Sequence, residues 1–372
     1  MISKTGKNSI YLCGYFGEKN FGDNLLLKVL INRLHWSFPR KTIYVRSNSK
    51  VEYFASQENV IFLRNEYLLQ NRGLFKLFYG AVFLFRNIKP ILKSKFFVVG
   101  GGGVFLDFQR LNFSIIILYL LIMIAKICGT KVIIMGVSSD FIGHRLNLLF
   151  IKMLLKKADF ISVRDWLTYR YFLKILGKTK KKINLASDLV WTLPIENIIL
   201  NDATEPRLWF NIMPLDYFYG KEREDKANAV IKRFVDIAIS HPKIGILITQ
   251  SADTYNEGWL LETFQEVHDD VVCKTLSFEE SVNGVFSKGD LVITSRYHVG
   301  LFCVALNLRA ILVDHEMKIS SLAAEFPIGS IPVEKLEQLD VDMFIIRYMT
   351  SGDCGLLDRQ RQLSDINFCW VP

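Results

Sequence analysis

Short runs of Val, Ile, Leu and Phe alternate with longer helical patterns along nearly the whole chain. The first runs fall at 10–13, 42–45, 96–99, 131–135, 160–163 and 183–186. They are continuous in apolar residues, without the alternation of a strand that has one wet face. Strands buried on both sides belong to a parallel sheet covered by helices on each face. Helical patterns lie between them at about 23–35, 111–127, 145–157 and 166–176. Residues 188–206 break the rhythm, with Pro194 and Pro206. It then resumes, with strands expected at 208–212, 244–249, 271–275, 291–294 and 310–313. The accompanying helices are expected at about 222–240, 256–267, 278–287, 298–307 and 318–325. The fold class that follows is α/β: two tandem doubly wound Rossmann-like domains with an interdomain cleft. A chain of 372 residues suits two domains. Their expected bounds are 1–190 and 207–335, followed by a helical segment, 336–372, packing back across the hinge. Ligands of such sheets bind at the carboxyl ends of strands.

Half of the residues are hydrophobic, enough for two cores. The six cysteines, at 13, 128, 273, 303, 354 and 369, form no CxxC pair. That excludes a disulfide framework or a zinc site and reads as reduced thiols in the cytoplasm. The opening MISKTGK lacks the apolar core of a signal peptide. The uncharged stretch 111–125 falls short of the roughly 20 residues a spanning helix needs. It reads as a buried crossover helix.

The net charge of +9 conceals a division. Residues 1–195 carry 30 Lys/Arg against 10 Asp/Glu, whereas residues 196–372 carry 16 against 27. This asymmetry points to two domains with different partners. No acid lies between Glu66 and Asp107, where Arg72, Lys76, Arg86, Lys89, Lys93 and Lys95 interleave with Phe75, Phe78, Tyr79, Phe83 and Phe85. Such a mixture is either a solvated basic face over an aromatic core or an interface with an anionic membrane surface. Basic aromatic surfaces also bind single-stranded nucleic acid, but no nucleic-acid partner is expected here.

Ser295-Arg296-Tyr297-His298 stands where the strand 291–294 hands over to a helix. Free backbone N–H groups and the positive end of the helix dipole suit anions there. Arg296 adds a permanent bidentate charge, and His298 a proton that moves near neutral pH. The alternative is Arg296 in an ion pair and His298 capping the helix. The loop GYFGEKNFGDN, at 14–24, leads from the first strand into a helix and offers Asn20, Asp23 and Asn24 to a ligand. Its spacing is neither the dinucleotide fingerprint nor a phosphate loop. Four glycines follow the strand FFVV, and Gly101, Gly102 and Gly103 there present bare backbone. Arg164 ends another strand, beside Asp165 placed to cap the next helix; it faces the crevice or pairs with an acid. Asp188 binds a sugar hydroxyl or caps a turn. Lys318 is a second phosphate contact or a surface lysine, and His144 a substrate contact or a solvated loop residue. The histidines are scattered and there is no HExxH, so no metal is expected and no cofactor. GxSxG is absent, which argues against a serine hydrolase.

Taken in order, GYFGEKNFGDN, VVGGGGVFLD, ISVRD and ITSRYHVGLFCVALNLRAILVD span about 300 residues. They resemble the polysaccharide pyruvyl transferase family. The resemblance implies a GT-B-like architecture. It implies transfer of the pyruvyl group of phosphoenolpyruvate to two hydroxyls of a sugar, giving a cyclic ketal. Arg296 and His298 match the family's RxH motif. Arg296, with Arg164 or Lys318, would then hold phosphate and carboxylate, while His298 moves a proton or holds the phosphate. Tyr297 replaces a usual Leu, and Asn24 stands where many members have an acid, which puts an acid–base role there in question. The implied acceptor is a polyprenyl-diphosphate-linked sugar, a precursor of a cell-surface polysaccharide, at the cytoplasmic face of the plasma membrane. The basic first domain is then the acceptor side, peripheral on the membrane, and the second the donor side. Two other classes compete: a GT-B glycosyltransferase using a nucleotide sugar, with Glu316 as its ribose-binding acid, and a non-catalytic scaffold of a surface-polysaccharide assembly complex.

Overall fold

The computed structural model describes residues 7–17, 20–47, 59–64, 74–105, 111–193, 198–202, 205–220, 223–249, 257–276, 284–326, 328–342 and 354–371. The chain forms two compact units. One comprises Met1–Glu18, Asp23–Leu193 and Arg359–Pro372, and the other Lys19–Gly22 and Pro194–Asp358.

In the first unit the strands are β1 (Ser9–Cys13), β2 (Thr42–Ser47), β3 (Val60–Arg64), β4 (Ser94–Phe105), β5 (Lys131–Ser139), β6 (Phe160–Val163) and β7 (Asn184–Leu185). They make one parallel sheet in the order β3-β2-β1-β4-β5-β6-β7. The helices are α1 (Phe21–Ser37), α2 (Leu74–Lys93), α3 (Phe113–Ile127), α4 (Arg145–Lys157) and α5 (Trp166–Leu176). From β4 to β7 the chain advances in one direction across the sheet. Right-handed crossovers therefore lay α3, α4 and α5 on one face, and α2 packs beside α3. Helix α1 steps the other way, from β1 to β2, and lies on the opposite face. There Arg33 pairs at 3.0 Å with Asp365 of the C-terminal segment.

In the second unit, β8 (Leu208–Asn211), β9 (Ile244–Ile248), β10 (Val271–Thr275), β11 (Leu291–Thr294), β12 (Arg309–Asp314) and β13 (Gly329–Pro332) form a parallel sheet. Its order is β10-β9-β8-β11-β12-β13. The helices are α6 (Leu215–Tyr219), α7 (Glu224–Ser240), α8 (Leu261–Gln265), α9 (Tyr297–Ala305) and α10 (Met317–Glu325); the last helix, α11 (Cys354–Asp365), belongs from Arg359 onward to the first unit. Both sheets follow the Rossmann order, with a switch point between their first and fourth strands. Each core is made by the continuous apolar runs: Ile10, Leu12, Phe97 and Ile134 are fully buried in one, Phe210, Ile246 and Ile293 in the other.

The C-terminal residues from Arg359 belong to the first unit. The attachment is specific. Ser364 Oγ donates to the Asp188 carbonyl at 2.8 Å, Asn367 Nδ2 donates to the Ser187 carbonyl at 2.9 Å, and the Trp370 ring lies 4.9 Å from that of Phe96. The sequence pattern omits four elements: β3, β13, α2 and α6. Of the helix expected at 278–287, residues 278–283 lie outside the described residues. The rest is a turn and an isolated bridge from Ser287 to Asn201.

The four glycines also differ from expectation. They do not follow a strand; β4 runs through them to Phe105. Gly101 and Gly102 take φ of 72° and 76°, and Gly136 of β5 takes 58° beside them. Matched irregularities keep the strands paired. The glycines serve packing: a Cβ at Gly101 would press on Leu26 of α1 at 3.2 Å. Among the described residues, no helix is long and apolar enough to cross a membrane.

Candidate functional site

Strands β8, β9 and β11 end side by side at the switch point of the second sheet. The loops leaving them line a pocket of about 420 Å³, its open mouth included. Met213 follows β8, Thr249 follows β9, and Ser295, Arg296, Tyr297 and His298 follow β11. Glu316 and Lys318 enter after β12. Asn20, Phe21 and Gly22 complete the wall, and these three also belong to the second unit. They are tied in by the Phe21 N–H, which donates to the Thr249 carbonyl at 3.0 Å, and by the Phe21 ring, edge-on to Phe302 at 5.8 Å. Asn20 Oδ1 accepts from the Gly22 N–H at 3.0 Å, shaping the turn into α1.

Arg296 occupies the N-cap position of α9. Its backbone N–H donates to Thr294 Oγ1 at 2.9 Å, and its Nε donates to Glu257 Oε1 at 2.7 Å. The Glu257 side chain is wholly buried. It also accepts from the Thr249 hydroxyl at 2.7 Å and the Thr249 N–H at 2.9 Å. A buried carboxylate is tolerated when several donors meet it. Thr294 Oγ1 in turn donates to Asn211 Oδ1 at 2.6 Å, and Asn211 Nδ2 donates to the Leu247 carbonyl at 2.8 Å. The guanidinium is thus aimed by Glu257, which Thr249 holds in turn, while Thr294 and Asn211 fix the backbone that carries it.

His298 lies on Gly22. A Cβ at that position would run into the imidazole, at Nδ1 and Cγ alike. The glycine is required for space, to let the α1 end approach the ring. Lys318 Nζ lies 2.6 Å from Glu316 Oε2, and His315 Nε2 lies 2.8 Å from Glu316 Oε1. Burial alone would raise the Glu316 carboxyl; the contact with His315 and the charge of Lys318 outweigh it and hold it at about 2. Glu316 is therefore an anion throughout the physiological range.

The pocket brings together Asn20, Arg296, His298, Glu316 and Lys318 of the residues singled out by sequence. Each of its two permanent cations comes with a carboxylate, Glu257 or Glu316. The excess of positive charge is smaller than the bare sequence suggests, and the carboxylates fix where the cations point. An anion bound here meets an Arg, a Lys, an imidazole and the first N–H groups of α9. Glu257 and Thr249 carry no motif that marks them in the sequence. The one available hint was an acid, Glu257, heading the amphipathic run EGWLLETF. Among the described residues, no group of three or more His, Cys, Asp or Glu is placed to hold a metal ion.

The remaining candidates lie in the first unit. Arg164 Nη1 lies 2.7 Å from Asp188 Oδ2, both side chains being 1 % exposed, and Nη2 donates to Ser138 Oγ at 2.8 Å. Asp188 also caps a short 3-10 turn, accepting from the Val190 N–H at 2.9 Å. Of the two readings left open for each, the ion pair and the cap are what the geometry displays. Asp165 caps α5 as expected, accepting from the Thr168 N–H at 2.7 Å. His144 holds the N-cap position of α4. Asp23 and Asn24 sit in the first turns of α1. Asp23 Oδ1 faces Gly102, and Asn24 Oδ1 is buried without a hydrogen-bond partner.

Two Rossmann-like α/β domains in tandem define the GT-B class, and solved structures agree. The chain is similar to Anabaena HepE in complex with UDP, at 9% identity over 97% of this chain and 95% of that one, TM-score 0.59. It is similar to sucrose-phosphate synthase from Thermosynechococcus elongatus, at 11% identity over 98% and 95%, TM-score 0.58. It is also similar to a lipopolysaccharide outer core galactosyltransferase, WaaB, at 10% identity over 97% and 98%, TM-score 0.55. At these identities the likeness is one of fold. A search of curated proteins finds no match. The family is given by the sequence itself: residues 20–316 match the polysaccharide pyruvyl transferase model, and the chain belongs to that family.

Proposed function

We propose that the protein transfers the pyruvyl group of phosphoenolpyruvate to two hydroxyls of a sugar, forming a cyclic ketal. One observation carries this reading. Arg296, His298 and Lys318, from two separate strand-end loops, line one pocket at the N-terminus of α9. Phosphoenolpyruvate carries a phosphate and a carboxylate, and two fixed cations suit the pair. In the reaction a proton is added to the methylene carbon, which makes C2 electrophilic. The first sugar hydroxyl attacks C2 and loses its proton. Phosphate leaves with the C2–O bonding electrons, and the second hydroxyl closes the ring. The two hydroxyl protons are balanced by one on the new methyl group and one on phosphate. His298 is the proton carrier, since one group must give and take protons near pH 7.

The acceptor in this proposal is a sugar on a polyprenyl diphosphate, a precursor of a cell-surface polysaccharide. The protein then works peripherally at the cytoplasmic face of the membrane. The test is phosphate release from phosphoenolpyruvate against a set of lipid-linked sugars. His298→Ala should abolish turnover while phosphoenolpyruvate still raises Tm; a wild-type rate in that variant removes His298 from the chemistry. Stabilisation by a UDP-, GDP- or CMP-sugar but not by phosphoenolpyruvate would favour nucleotide-sugar transfer instead.

A further inference from the structure

We infer that the outward side of the α2–α5 helix layer is a docking face for an anionic phospholipid bilayer. The four helices carry eleven Lys/Arg and no Asp or Glu. They lie side by side on one face of the first sheet, and of the ten of these cations whose side chains are described, eight are exposed. The same surface is unusually apolar. Of the 17 large hydrophobic residues exposed among the described residues, ten fall between Phe85 and Leu173.

The pattern holds helix by helix. On α5 the exposed stripe is Trp166, Leu167, Arg170, Leu173 and Lys174, spaced three or four apart. On α4 it is Arg145, Leu146, Leu149 and Lys156. On α3 the exposed large residues Phe113, Leu120 and Ile127 recur every seventh position. On α2, Phe85 is 80 % exposed beside Arg86 and Lys89. A water-facing helix stripe of Trp, Leu and Phe among cations is the composition of a helix lying in the headgroup region. Helix α7 of the second unit shows the contrast: it has Glu224, Asp225 and Asp236, and Ile239 as its one large exposed hydrophobic.

Charge decides between occupants. A second copy docked by a two-fold axis would set these acid-free, cationic helices against themselves. Single-stranded nucleic acid supplies phosphates but leaves exposed Leu and Ile stripes without a match. An anionic bilayer supplies both the negative surface and the apolar depth. At the end of α3, Lys126 is engaged by a carboxylate, Asp159, at 2.9 Å. The inference uses the proposed function only in expecting the acceptor at a membrane.

The experiment is flotation of the full chain with phosphatidylethanolamine/phosphatidylglycerol vesicles and with phosphatidylcholine vesicles. Wild type should float with the anionic vesicles, and about 1 M salt, which shortens the screening length to about 3 Å, should weaken it. The double variants Leu146→Ser/Leu149→Ser and Arg170→Glu/Lys174→Glu should each bind about tenfold or more weakly, while Ile239→Ser binds as wild type. Four results overturn the inference: no flotation of wild type, face variants that float as wild type does, preference for an oligonucleotide over vesicles in competition, or a dimer in lipid-free solution that the face variants break. Phosphate release with a short soluble acceptor separates the two proposals. Its absence in a chain that still floats fells the donor reading and leaves the docking face standing.

Discussion

Glu257 Oε1 accepts from Arg296 Nε at 2.7 Å, and the same carboxylate accepts from the Thr249 N–H at 2.9 Å. The pocket's guanidinium is therefore oriented by an acid that touches no solvent. Glu257→Ala leaves a partly buried cation and a buried N–H without their acceptor and should cost about 3 kcal/mol in urea unfolding. Glu257→Gln keeps an oxygen in place and should cost about 1 kcal/mol. Because Gln holds the guanidinium less firmly, KM for phosphoenolpyruvate should rise about tenfold with a smaller change in kcat. Unchanged kinetics in Glu257→Gln would mean that Arg296 does not meet the donor.

Gly22→Ala separates two effects of opposite sign. Gly22 is the second residue of α1, where Ala favours helix over Gly by up to about 1 kcal/mol. The added methyl, however, occupies the volume of the His298 ring. The variant should keep or lose little Tm while kcat falls about a hundredfold, since displacing a proton carrier by an ångström costs that much. A thermal melt and steady-state rates decide it; a fully active Gly22→Ala would show that the ring is not held in its working position here.

The pair of Arg164 and Asp188 should behave as structure. Both side chains are 1 % exposed, so Arg164→Met strands a buried carboxylate and should destabilise by about 3–5 kcal/mol. Arg164→Met/Asp188→Asn should recover much of that loss, because the charge is gone with its partner. Phosphoenolpyruvate should raise the Tm of the double variant by the same increment as wild type. A lost increment would return Arg164 to the donor site.

What could be read in advance was whatever is local. Arg296, His298 and Lys318 announce themselves because each follows a buried strand and opens a helix, a boundary visible as a change of period. Glu257 does not, because it meets Arg296 across 39 residues, from a loop leaving a different strand. Arg164 and Asp188 both stand at strand ends, but nothing in sequence says that they face each other 24 residues apart. Strand β13, Gly329–Pro332, is an edge strand of Gly, Ser, Ile and Pro, and edge strands need little β propensity. The four glycines mislead for a related reason. Left-handed φ at Gly101 and Gly102 looks like a turn, yet Gly136 beside them lets β4 and β5 stay paired.

Glu316 makes the pocket sensitive to acid in a defined window. Its carboxyl is held at about 2 against a usual 4.5: burial pushes it up, but the contact with His315 and the Lys318 charge push it further down. A depressed carboxyl stabilises the fold at pH above 4.5, and that contribution is lost as pH falls through about 2. The size is on the order of 3 kcal/mol, from about 1.4 kcal/mol per pH unit. Lys318→Met removes one of the downward causes, so its Glu316 should titrate closer to 4.5 and the acid transition should begin at higher pH. Glu316→Gln should be less stable than wild type at pH 7, and the gap should close as pH falls from 4.5 towards 2. Urea melts at several pH values check both variants. A gap that stays constant across that range would mean that the carboxylate is not held by His315 and Lys318, and Lys318 would then be free to act on the donor without its tether.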